Sequence, residues 1–158
     1  MHTKEGRSEL MSRIRGKGNK NTELKLAALF RQNRVTGWRR NYKLFGKPDF
    51  VFPSQRVAVF VDGCFWHGCP VHGRIPKSNK KFWREKISRN QKRDRKVSRT
   101  LRGLGWSVLR VWEHSLSVKR TPATLRRIQR ALEGAASPKK RMAVGAATVL
   151  YLPRRFHT

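Results

Sequence analysis

Hydrophobic and polar positions along the chain set up a succession of elements. From Asn21-Thr22 the spacing turns helical: Leu24, Ala27, Ala28, Leu29 and Phe30 give an apolar side, Asn21 or Thr22 can cap it, and Glu23 suits a first turn. With Gly37 as the stop, a helix is expected over about residues 22 to 35. Two short strand-like runs follow, Asp49 to Phe52 and Arg56 to Asp62, separated by Pro53-Ser54-Gln55, which is hairpin spacing. In the second run Val57, Val59 and Val61 alternate with Ala58, Phe60 and Asp62, so neither face turns polar before Asp62. Such a strand belongs in the middle of a sheet, with Asp62 where it meets a loop.

Between Lys80 and Leu104, the residues Trp83, Ile87, Asn90, Asp94, Val97, Leu101 and Leu104 recur three or four positions apart, the period of one helix face. That stripe carries Asn90 and Asp94 in its middle, and the remaining surface is crowded with Lys and Arg. An acid on an apolar stripe needs a partner, because an unpaired buried carboxylate is costly. Gly103 and Gly105 end the helix, and Trp106 to Trp112 reads as a third strand closing at Glu113-His114. Thr121-Pro122, with Thr as cap, starts a helix through Leu125, Ile128 and Leu132 to Gly134. The order of helix, strands, long helix, strand and helix defines an α/β fold, a small sheet with helices packed on it.

The flanks differ from this middle. Residues 1–20 interleave Arg13, Arg15, Lys17 and Lys20 with Gly16, Gly18 and Asn19 and read as a flexible basic arm. Residues 21–134 form the expected domain, and 135–158 a basic tail with an apolar stretch from Ala143 to Leu152, whose structure the pattern does not choose.

Charge moves the question from fold to partner. The 158 residues carry 38 Lys and Arg against nine Asp and Glu, a formal charge of +29. Each cation set on a phosphate releases condensed counterions, so nucleic acid is the expected partner, and acidic substrates are not. A hydrophobic content of 37%, with five Trp and eight Phe, suffices for one packed core. No run approaches the roughly 18 apolar residues of a membrane span, and Met1 to Glu5 leads into no apolar signal segment. A cytoplasmic, nucleoid-associated protein without membrane partners is expected.

The densest chemistry lies in Cys64-Phe65-Trp66-His67-Gly68-Cys69-Pro70-Val71-His72. Cys64, Cys69 and His72 offer three metal donors from one loop; a tetrahedral zinc site needs a fourth, and His114 at the end of the third strand is the natural candidate. Simple burial of two thiols is the plain alternative. His67 is then spare. Hydrolysing a phosphodiester needs a cation against the developing charge, a base for water and a proton for the leaving oxygen. A strand-end acid such as Asp49 suits hard Mg²⁺, and a histidine can take the water proton near neutrality. For Pro48-Asp49 alone, a turn or cap is the competing reading.

Taken in order, Asn21-Thr22-Glu23, Lys47-Pro48-Asp49-Phe50, Gly63-Cys64-Phe65-Trp66-His67, Phe82-Trp83-x-x-Lys86, Arg93-Asp94 and Gly105-Trp106-x-Val108 with Val111-Trp112-Glu113 closely resemble the very short patch repair (Vsr) endonucleases. The resemblance implies a restriction-endonuclease-like core carrying a structural zinc. It also implies a Mg²⁺-dependent enzyme that recognises a T:G mismatch, the product of 5-methylcytosine deamination, and nicks 5′ to the mispaired thymine. A monomer is implied, with mismatch-repair proteins as further partners.

Carried over by position, Asp49 would ligate Mg²⁺ with the backbone carbonyl of Val61. His67 would be the general base, oriented by Asp94, and Glu23 would help hold the metal-bound water. Phe65, Trp66 and Trp83 match aromatics that wedge into the duplex, and Met11 matches an arm residue entering from the minor groove. Wedging unstacks base steps at a few kcal/mol, least at an already weakened pair, which favours mismatches. Asp62 stands where the best-known member has a catalytic histidine, so that position is expected to add a metal ligand instead. Cys69, His72 and His114 replace a different mix of His and Cys, still leaving four N/S donors with Cys64.

Two other readings fit the composition. One is a zinc-stapled nucleic-acid-binding protein without catalysis, in which Asp49, Asp62, His67 and Asp94 are structural. The other is a nicking nuclease of the same fold with no T:G preference.

Overall fold

The computed structural model describes residues 20–136. The expected basic arm with Met11, and the tail beyond Ala136, lie outside them. The chain divides into two compact units, with the boundary between Thr36 and Gly37.

The first unit holds helix α1 (Lys20–Gln32), which buries Leu26, Ala27 and Phe30. It ends earlier than the apolar pattern suggests. Arg34 turns left-handed at φ 52°, while the N–H groups of Val35 and Arg34 donate back to the carbonyls of Phe30 and Arg31. Those two bonds satisfy end carbonyls in the manner of a Schellman cap, usually glycine's place.

The second unit contains β1 (Phe50–Phe52), β2 (Val57–Asp62), α2 (Lys80–Gly103), β3 (Ser107–Trp112), a 3₁₀ turn at Glu113–Leu116 and α3 (Thr121–Ala136). The fold is mixed α/β. The sheet runs β1-β2-β3, with β1 antiparallel to β2 and β3 parallel to it. The expected hairpin forms: Phe50 opposes Val59, and Arg56 closes the turn by donating to the Pro53 carbonyl at 3.1 Å. β2 is the central strand, and every residue of it except Val61 is buried, as its uninterrupted apolar run requires.

Helix α2 covers the sheet through Val97 and Leu101, which pack with Ala58 and Phe60 in a core bordered by Leu44, Trp106 and Val108. Leu101 is fully buried, which contributes roughly 2 kcal/mol. The stripe stops there. Leu104 is half exposed beyond the helix end, because Gly105 at φ 79° turns the chain and the Trp106 N–H donates back to the Leu101 carbonyl. Helix α3 buries Leu125 and Ile128. At its start Thr121 is already the first helical residue, one position inside the expected cap, and its hydroxyl donates to the Ser117 carbonyl at 2.9 Å. Among the described residues no helix is long and apolar enough to cross a membrane.

Candidate active site and metal cluster

Parallel pairing of β2 and β3 brings the Cys/His cluster together. Asp62 registers with Trp112, so Cys64 and His114, each two residues further on, leave the sheet side by side. Cys64 Sγ lies 3.2 Å from His114 Nδ1, Cys69 Sγ 3.5 Å from the same nitrogen and 3.9 Å from His72 Nδ1. All four donors fall within 4.8 Å of one another. With Zn–S near 2.3 Å and Zn–N near 2.1 Å, tetrahedral edges come to about 3.5 Å, so the donor set fits zinc in size and in chemistry. Both thiols are free.

The loop between them is tightly folded, the Cys69 N–H donating to the Cys64 carbonyl at 2.9 Å and the Cys64 N–H to Glu113. Burial pushes the Cys64 thiol up. For Cys69, burial acts the same way but is outweighed by hydrogen bonds from the His72 and Val71 N–H groups, and its pKa falls. His114 is shifted down, first by burial and then by the neighbouring His72.

A second group, Asp62, His67 and Asp94, also gathers within 4.8 Å. Asp94 on α2 finds the partner its position demands: His67 Nδ1 sits 2.5 Å from its Oδ2. The helix holds the loop on either side of that contact. Asn90 donates to the Trp66 carbonyl at 2.9 Å and Gln91 to the His67 carbonyl at 3.2 Å. Gly68, at φ 64°, allows this approach, since a Cβ there would stand 2.6 Å from Gln91 Nε2. Burial would raise the Asp94 carboxyl, but the His67 hydrogen bond and the charges of Arg110 and Arg93 hold it below the ordinary carboxylate value.

Arg110 is the member that sequence reading misses. Its Nε and Nη2 each donate to Asp62 at 2.6 Å, and Nη2 also reaches Asp94 Oδ1 at 3.1 Å. Burial would lower the guanidinium pKa, yet its pairing with Asp62 raises it. Both Asp62 oxygens are thus engaged, and a metal ion ligated by Asp62 would have to displace a cation already seated there. A lone arginine inside Val108-Leu109-Arg110-Val111-Trp112 is the available signal, because a charge on a core strand needs an opposite charge nearby.

Asp49 lies outside both groups, just before β1. Its Oδ2 accepts the Val61 N–H at 2.7 Å. In an antiparallel ladder the N–H and C=O of one residue face the same neighbour, so the Val61 carbonyl belongs to the edge that Asp49 occupies. A carboxylate and a main-chain carbonyl are hard oxygen donors of the kind Mg²⁺ takes. Glu23 stands in the first turn of α1, in the first unit.

Aromatic side chains form a cluster on the same loop and the first turn of α2. Phe65 packs edge-on against Trp66 and Trp83, with centroids 5.0 and 5.1 Å apart, and Phe82 adds to Trp83 at 5.1 Å. Lys86 Nζ lies 5.2 to 5.6 Å from the ring centroids of Trp66, Trp83 and Phe82. All four rings are partly or largely exposed.

The chain that places a Cys/His cluster, a His–Asp pair and a partly exposed aromatic cluster on one loop is similar in sequence to known proteins. The family model for DNA mismatch endonuclease Vsr covers residues 1–72. A type II nicking enzyme of Lentzea aerocolonigenes, V.NaeI, is 46% identical over 115 residues, 69% of this chain and 68% of the relative. A Neisseria meningitidis serogroup C protein described as type II nicking enzyme V.NmeDIP is 39% identical over 132 residues, 82% of this chain and 88% of its own. The DNA mismatch endonuclease Vsr of Escherichia coli K12 is 37% identical over 118 residues, 73% and 74% of the two chains. The chain belongs to the Vsr family of DNA endonucleases.

Proposed function

We propose that this protein nicks DNA 5′ to the thymine of a T:G mismatch, using a restriction-endonuclease-like core with a structural zinc and a Mg²⁺ site. The observation that carries this reading is the 2.5 Å contact between His67 and Asp94, beside an exposed aromatic cluster. Asp94 accepts from Nδ1 and so leaves Nε2 as the basic nitrogen, oriented to take a proton from water. Asp49 and the Val61 carbonyl would hold Mg²⁺, which when bound supplies neutralising charge at the scissile phosphate. Glu23 helps to position the attacking water.

Cys64, Cys69, His72 and His114 hold zinc and thereby fix the loop that carries His67. Phe65, Trp66 and Trp83 wedge beside the mismatch, and Met11 enters from the other groove. Residues 21–134 form the endonuclease domain, and the basic arm and tail grip phosphates without reading sequence. Relatives described as type II nicking enzymes support the nicking itself, and a nicking nuclease of the same fold without T:G preference is the second reading.

The test is incubation with Mg²⁺ and matched, T:G-mismatched and branched duplexes. Selective nicking of the T:G strand supports the proposal. Equal cleavage of matched and mismatched DNA supports the second reading, and no cleavage by zinc-replete protein removes both.

A further inference from the structure

His67 Nδ1 faces two carboxylates: Asp94 Oδ2 at 2.5 Å and Asp62 Oδ1 at 3.7 Å. Only a hydrogen bond to one of them gives the ring a single orientation. Asp62 is 4% exposed and close enough to compete. Arg110 removes that competition, its Nε and Nη2 taking Asp62 Oδ2 and Oδ1 at 2.6 Å each in a forked pair. The same Nη2 touches Asp94 on Oδ1, the oxygen that does not meet His67. The guanidinium is itself fixed on the Phe60 ring, 4.9 Å from its centroid, and Phe60 is its register partner on β2.

This arrangement is a poor device for stability. A buried ion pair gives back much of its attraction in lost hydration, and an apolar pair of similar size often does as well. Arg110 Nη1 is moreover buried with no hydrogen-bond partner among the described residues, so the pairing does not satisfy the whole guanidinium.

We infer that Arg110 is a positioning residue, which engages Asp62 and so leaves Asp94 as the sole partner of His67. The inference rests on His67 acting as the base in the proposed nicking reaction. It makes Asp62 and Arg110 one unit: removing either alone harms the site, because unpaired Asp62 draws His67 away and unpaired Arg110 draws Asp94 away.

A double-mutant cycle on the full-length, zinc-loaded protein tests this, with nicking of a T:G duplex followed in single turnover at saturating enzyme and DNA affinity measured separately. Arg110→Met and Asp62→Leu should each slow nicking by about a hundredfold, the scale of loss from small misplacement of a reacting group, with duplex affinity within about threefold of wild type. Combining Asp62→Leu with Arg110→Met should regain at least about tenfold of the lost rate, since competitor and clamp disappear together. The imidazole nitrogen signals of His67 in NMR should change in each single variant and return in the double one. A wild-type rate for Arg110→Met overturns the inference, as does a double variant no faster than Arg110→Met. His67→Ala is run alongside: if it nicks normally, the base assignment fails, an outcome distinct from failure of the Arg110 cycle, whose NMR readout does not depend on nicking.

Discussion

His67 and Asp94 stand 27 positions apart in sequence and 2.5 Å apart in space, one on a loop pinned by two cysteines and the other on a helix stripe. Neither element alone fixes the pair. The loop is held by its own Cys64–Cys69 turn and by Asn90 and Gln91 of α2, so the geometry of the His–Asp pair depends on the packing of α2 against the sheet. Leu101→Ala, which empties a fully buried position in that packing, should destabilise the protein by about 2–5 kcal/mol. A urea titration of the variant against the parent checks this.

The pair also predicts a pH dependence. The folded Asp94 carboxyl lies below its ordinary value because His67, Arg110 and Arg93 outweigh burial. In the window between the unfolded and folded values the unfolded chain therefore binds more protons, so stability rises with pH there. The contribution is complete above about pH 4 and is lost as the pH falls through the folded value. Wild type should lose more stability than Asp94→Asn on acidification from pH 5 to pH 3, roughly the span of an ordinary carboxylate titration. Parallel slopes in denaturant midpoints for the two proteins would remove Asp94 from this role.

The Cys/His cluster predicts metal content. Cys64, Cys69, His72 and His114 match the size of a tetrahedral site, and structural zinc contributes on the order of 10 kcal/mol to folding where no preformed site exists in the unfolded chain. His114→Ala and Cys69→Ser should each lower bound zinc well below one per chain by elemental analysis. Each should also bring the melting temperature down. A variant that retains full zinc would show that the removed side chain is not a ligand.

Much of this site is legible in the sequence, and what is not legible has a common cause. The continuous apolar run from Val57 to Val61 marks a central strand, the stripe through Asn90 and Asp94 announces a partner for the acid, and Cys64-x4-Cys69-x2-His72 announces a metal loop. These are local patterns. Arg110 escapes them because its meaning depends on the parallel register that sets Phe60 beside it and brings Asp62 within reach, a pairing 48 residues apart in sequence. The end of α1 departs from the apolar pattern for a local reason, Arg34 adopting a conformation usually left to glycine, whereas α2 ends where Gly103 and Gly105 announce it.

The aromatic cluster predicts a separation between affinity and discrimination. Phe65, Trp66 and Trp83 pack against one another, and Lys86 sits over two of these three rings. If these rings wedge into the duplex, truncating one removes stacking worth about 1–3 kcal/mol, by analogy with base–aromatic stacking on single strands. Trp66→Ala should therefore weaken T:G binding by roughly tenfold or more, while phosphate contacts keep matched duplex affinity nearly unchanged. Competition binding with the two duplexes measures the ratio. An equal loss for both would assign Trp66 to general packing.

Asp49 carries two duties that substitution can separate. Its carboxylate accepts the Val61 N–H at 2.7 Å and, in the proposed reaction, also holds Mg²⁺. Asp49→Ala abolishes both, and leaving this half-buried N–H without an acceptor costs about 1 kcal/mol, the low end of the range for a buried donor. Asp49→Asn keeps a carbonyl oxygen for Val61 but removes the negative charge that a hard cation requires. Both variants should lose nicking while still binding a T:G duplex, and Asp49→Asn should melt closer to wild type than Asp49→Ala does. Nicking assays, duplex binding and thermal melts on the same preparations give the comparison. Wild-type nicking by Asp49→Asn would show that Asp49 serves the β1 edge alone, and the metal would have to be sought elsewhere.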